Sequence, residues 1–85
     1  MDNYTGMVVK TTAGHDKGGL FLVVKSDEKY LYLANGKQRK LTNPKRKNRG
    51  QVSEMVITVM EPPHSDKELR GILASIKEGI TFGKR

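Results

Sequence analysis

Two histidines, His15 and His64, are the only imidazoles in this 85-residue chain, and it contains no cysteine. Histidine is the side chain whose ordinary pKa suits proton transfer near neutrality, and thiolates are the readiest protein nucleophiles and zinc ligands. Either chemistry needs partners at fixed spacing: a second ligand one helical turn away, or a base held against a nucleophile by a third group. Neither histidine has such a partner. His15 and Asp16 are neighbours, but they sit in the glycine-rich stretch 13–19 (AGHDKGG) with no orienting group nearby. That stretch also lacks the spacing and the Lys-Ser/Thr ending of a phosphate-cradling P-loop. The inventory predicts no enzyme: no catalytic residue, no metal ligand, no cofactor and no small-molecule substrate.

The chemistry that the sequence does carry is charge. Residues 37–49 (KQRKLTNPKRKNR) hold seven of the sixteen basic residues and none of the nine acidic ones. These seven are Lys37, Arg39, Lys40, Lys45, Arg46, Lys47 and Arg49. The remainder balances at nine basic and nine acidic, so the net charge of +7 belongs to this one segment. A surface built only for solubility intersperses its signs, whereas a concentrated basic run on a neutral domain suits a polyanion. The plain alternative is a solvated charged loop. Absence of cysteine fits a reducing compartment. There is no basic-then-apolar leader and no apolar run of membrane-spanning length, so the chain reads as soluble and cytoplasmic, without a membrane partner.

Strands must position these residues. Short apolar runs rich in β-branched and aromatic residues alternate with turn residues every eight to twelve positions or so. They predict strands over 6–12 and 20–25, with 13–19 as a loop whose glycines and Lys17 could sit against phosphate. A polar turn over 26–28 leads to Tyr30-Leu31-Tyr32-Leu33, where alternation sends the leucines to one face and the tyrosines to the other. The tyrosines are then either half-buried packing or stacking surfaces. Asn35-Gly36 predicts a two-residue hairpin turn, making 37–41 a basic edge strand that Pro44 ends. A last strand spans 51–60, with Val52, Met55, Val56, Ile57 and Val59 as core residues.

Glu61-Pro62-Pro63 breaks the chain, and Ser65-Asp66-Lys67-Glu68 has the form of a capping box. Leu69, Ile72, Leu73 and Ile76 then recur at three- and four-residue steps, the stripe of a helix packed on the sheet. Gly79 is its predicted cap, and 83–85 a frayed tail. The fold class expected is mainly β: a small SH3-like five-stranded barrel over 1–60, with a C-terminal α-helix and tail over 61–85 packed on it as one domain. A chain this short buries only about 60 to 65% of its extended surface, which leaves no room for a large enclosed site.

The run 6–24, GMVVKTTAGHDKGGLFLVV, resembles the KOW motif: a strand, a glycine loop with Lys-Gly, and a second alternating strand. The later Asn35-Gly36 and Asn43-Pro44-Lys45-Arg46-Lys47-Asn48 look like the short free-standing bacterial KOW proteins, which are similar to large-subunit ribosomal proteins of archaea and eukaryotes. The resemblance implies an RNA-binding barrel, ribosomal RNA above all, with His15, Lys17 and Gly18 in the loop and Lys45, Arg46, Lys47 and Asn48 in the basic segment as contacts. KOW barrels also occur in transcription elongation factors, so it equally implies a rival role as a protein-interaction module on ribosomal or transcription proteins. An exposed apolar patch, hinted at by Phe21 and the helix stripe, would mark that role.

Overall fold

A computed structural model describes residues 4–11, 19–59 and 61–77, without the side chains of 54–57 and 77. The order is β1 (Met7–Thr11), β2 (Leu20–Ser26), β3 (Tyr30–Ala34), β4 (Lys45–Asn48), a 3-10 turn (Arg49–Gln51), β5 (Val52–Thr58) and α1 (Asp66–Lys77). The strands form one antiparallel sheet in the spatial order β4-β3-β2-β1-β5. No helix among the described residues is long and apolar enough to cross a membrane.

Chain connectivity forces the sheet to curl. β4 and β5 are its two edges, yet only the three residues Arg49–Gln51 join them. Four inter-strand spacings in a flat sheet would measure about 19 Å. Four residue steps reach at most about 14 Å. The edges must therefore approach each other, and irregular register between Met7 and Val9 in β1 and between Val23 and Lys25 in β2 supplies local bends. Gly6 stitches the mouth of the curl: its amide donates to the Val23 carbonyl (2.8 Å), and its own carbonyl accepts from the Val59 amide (2.8 Å). It does so at φ +94°, which favours glycine. The result is a small SH3-like half-barrel, the fold class expected from the strand rhythm.

Strand alternation divides the core between the two faces of this sheet. Val9, Phe21, Val23, Leu31 and Leu33 pack inside the curl, joined by Tyr4, Met7 and Val52. Val8, Leu22 and Ala34 point outward and are covered by Leu69 and Leu73 of α1, with Leu41, Val59 and Ile76 around them. Leu69, Leu73 and Ile76 of the helix stripe thus pack on the sheet. Ser65 starts the helix as expected, its Oγ accepting from the Glu68 amide (3.1 Å). Glu68 reaches one residue further back than a capping box requires and accepts from the His64 amide.

The fourth strand is the main correction. Residues 37–41 form no strand, and Pro44 precedes the basic strand instead of ending it. The cause is the side chain of Asn35, whose Oδ1 accepts from the amides of Lys37 (2.9 Å) and Arg39 (3.1 Å). The Arg39 carbonyl in turn accepts from the amides of Asn35 (2.9 Å) and Gly36 (3.0 Å). These bonds close a local loop and use the donors that a hairpin ladder would need. Helix α1 grips the same loop from outside: Arg70 Nη1 donates to the Gly36 carbonyl (2.7 Å), and Asp66 Oδ1 accepts from the Leu41 amide (2.8 Å). Gly36 does have the positive φ expected of it, +81°, and a Cβ there would lie 2.6 Å from the Asp66 carbonyl oxygen. Of the side chains expected to complete the core from the last strand, those of Met55, Val56 and Ile57 lie outside the described residues, as does Gly79.

Candidate nucleic-acid interface

The basic segment folds into two pieces, a loop over 35–44 and the edge strand β4. In the loop Lys37 and Lys40 are exposed and Arg39 is half-buried. Their arrangement depends on Asn35 below them and on Asp66 and Arg70 beside them.

In β4 the register sorts the side chains by face. Lys45 lies opposite Leu33 and Lys47 opposite Leu31, both facing the inside of the curl. Lys45 is half-buried there, and Lys47 is only 7% exposed. Arg46 lies opposite Tyr32 and Asn48 opposite Tyr30, on the outer face, and both are exposed. The Arg46 guanidinium sits 4.5 Å from the centroid of the Tyr30 ring. The Lys25 ammonium sits 5.7 Å from that of Tyr32. Both distances fall within the reach of a cation–π attraction. One patch of the outer face therefore combines two half-buried rings, Tyr30 and Tyr32, with exposed Lys25, Arg46 and Asn48.

The turn between β2 and β3 holds this patch in place. Asp27 Oδ1 accepts from the amides of Tyr30 (2.8 Å) and Lys29 (3.0 Å), and the Tyr32 hydroxyl donates to Asp27 Oδ2 (3.3 Å). The Tyr30 and Lys29 amides, helped by the Tyr32 hydroxyl and the Lys25 charge, hold the Asp27 carboxyl below its ordinary 3.8 against an opposing desolvation. The Asp27 carboxylate beside the patch is thus engaged in the turn. Arg49 is engaged too. Its Nε and Nη2 donate to the Asp27 carbonyl, its amide donates to the Lys29 carbonyl (3.3 Å), and its guanidinium lies 4.5 Å from the Tyr4 ring centroid.

Of the residues singled out in the sequence, the fold leaves Lys37, Lys40, Arg46 and Asn48 exposed, half-buries Arg39, Lys45 and Arg49, and buries Lys47. His15, Lys17 and Gly18 lie outside the described residues. Lys25 was overlooked because it reads as an ordinary strand residue. Only the register shift after Val23, which sets Lys25 opposite Tyr32, brings it to the rings. Tyr30 and Tyr32 share a face away from Leu31 and Leu33, as their alternation predicted.

No family model matches the chain, and no curated protein matches it either.

Proposed function

We propose that this chain binds structured RNA through the exposed cations of 37–49, in keeping with its likeness to KOW proteins, which directs the reading to ribosomal RNA and to a cytoplasmic, ribosome-associated role. The supporting observation is charge segregation: seven cations and no acid in thirteen consecutive residues of an otherwise neutral chain. Phosphate contacts of this kind position a protein on RNA without reading its sequence.

Folding narrows the set of residues available. Lys45 and Lys47 face the inside of the curl and Arg49 is committed to the Asp27 carbonyl and Tyr4, which leaves Lys37, Arg39, Lys40 and Arg46. If all four met phosphates, the slope of log affinity against log salt would approach about −2.8 for single-stranded and −3.6 for duplex contacts, as upper bounds. Titration of a ribosomal RNA fragment at several salt concentrations tests this, and a slope near zero sinks the reading. Crosslinking of the tagged chain in cells, beside a Lys37→Ala, Lys40→Ala, Arg46→Ala variant, then identifies the RNA.

The apolar features that would mark the rival protein-docking role are largely covered. Phe21 is 3% exposed inside the curl, and Leu69 and Leu73 are buried against the sheet. Capture of a protein partner that survives nuclease and high salt would restore that role.

A further inference from the structure

Resting on the RNA-binding reading above, we propose that the patch of Lys25, Tyr30, Tyr32, Arg46 and Asn48 is a stacking platform for unpaired nucleobases, so that the chain selects loops, bulges or single-stranded stretches over continuous duplex. Strand geometry sets the spacing of the two rings. Tyr30 and Tyr32 are two residues apart in β3 and point the same way, which sets them about 7 Å apart along the strand. That is about twice the base spacing in a stacked helix, so both rings can be covered only by bases that have left the stack. The shallow groove and paired edges of A-form RNA offer nothing that flat rings on a sheet could enter, whereas splayed bases stack on aromatic and guanidinium planes.

The surrounding groups fit the same ligand. The Arg46 guanidinium lies over Tyr30 and the Lys25 ammonium over Tyr32, at 4.5 and 5.7 Å from the ring centroids; the guanidinium plane is itself a surface on which a base stacks, and both cations can swing aside to pair with phosphate. Exposed Asn48, opposite Tyr30 in the ladder, brings an amide that both donates and accepts to the level of a base edge. The Tyr32 hydroxyl is held by Asp27 at 3.3 Å, so this ring is oriented before any ligand arrives. Among the described residues no helix covers this end of the outer face, because α1 packs over Val8, Leu22 and Ala34 instead.

The test uses the full chain and two labelled probes, a twelve-nucleotide RNA without self-complementarity and a twelve-base-pair RNA duplex, titrated by fluorescence anisotropy at one salt concentration. Wild type should bind the single strand more tightly. The double variant Tyr30→Leu, Tyr32→Leu should lose about tenfold or more on the single strand and less than about twofold on the duplex, with its salt slope unchanged. Tyr30→Phe, Tyr32→Phe keeps the rings and should stay near wild type on both probes, which separates stacking from a folding defect. The chain has three tyrosines and no tryptophan, so quenching of tyrosine emission by the single strand reports stacking directly. Equal losses on the two probes, or no loss on the single strand, overturn the platform while leaving RNA binding intact. Failure of wild type to bind either probe overturns the RNA-binding reading and the platform with it.

Discussion

The outer face of the sheet has two halves that arise from one alternation and meet different fates. At one end Val8, Leu22 and Ala34 lie under Leu69 and Leu73 and are essentially dry. At the other end Tyr30 and Tyr32, on the same side of β3 as Ala34, stay half-exposed beneath Arg46 and Lys25. Residues that share a face need not share an environment. The covered half is where stability resides, because buried apolar area is the main favourable contribution to folding. In the open half the aromatic area is left in contact with cations, whose attraction at exposed sites is worth only about 0.5–1 kcal/mol. Such a surface adds little to the fold and is available to a ligand.

If this division is right, substitutions in the two halves should separate stability from binding. Leu69→Ala carries the largest effect: it should cost about 3 kcal/mol in chemical denaturation, since Leu69 is fully buried between sheet and helix. Next comes Gly36→Ala, expected to cost about 2 kcal/mol, because the added Cβ meets the Asp66 carbonyl oxygen at 2.6 Å and φ is +81°. Its thermal melt should show the loss, and the basic loop should weaken in RNA binding as its hold on α1 is disturbed. A comparable penalty in RNA affinity without loss of stability would separate the loop from the helix. Arg46→Ala should leave the melting temperature within a few degrees of wild type. RNA affinity should fall by about five- to tenfold, roughly 1 kcal/mol for one exposed cation at a base or phosphate. Loss of stability without loss of affinity would make Arg46 a structural partner of Tyr30 and nothing more.

The smallest effect concerns pH. The Asp27 carboxyl ionises below 3.8 in the native state, so its stabilising contribution is complete above the unfolded value and is lost as pH falls through the lower native one. Asp27→Asn should remove that part of the acid limb below about pH 4, and stability followed against pH for both proteins will show whether it does. Because Asp27 is exposed, the difference should be slight.

Some of this organisation was legible in the chain. The positions of β1, β2 and β3 follow from local alternation to within about a residue at each end, and Ser65 and the apolar stripe from 69 to 76 announce a helix and its inner face. Asn35-Gly36 misled, because a turn dipeptide specifies a reversal without specifying its length. The loop runs on to Pro44 because the Asn35 carboxamide binds the amides of Lys37 and Arg39, and because Asp66 and Arg70, about thirty residues downstream, grip the loop from the helix. All seven cations of 37–49 were candidate contacts, yet strand register sends Lys45 and Lys47 inward and Arg46 outward.

The amino-acid sequence by itself determined the segments that form β1, β2, β3, β5 and α1, and that positive charge is concentrated in 37–49, since periodicity, capping and charge are properties of residues close together in the chain. Tertiary structure alone decided which cations remain outside, that Lys25 joins the tyrosines, and which half of the outer face α1 covers. Those outcomes depend on a register shift in β2, a curl forced by a three-residue link between edges, and contacts between residues far apart in sequence. No local pattern encodes them, because each is set by how the whole chain buries its apolar surface.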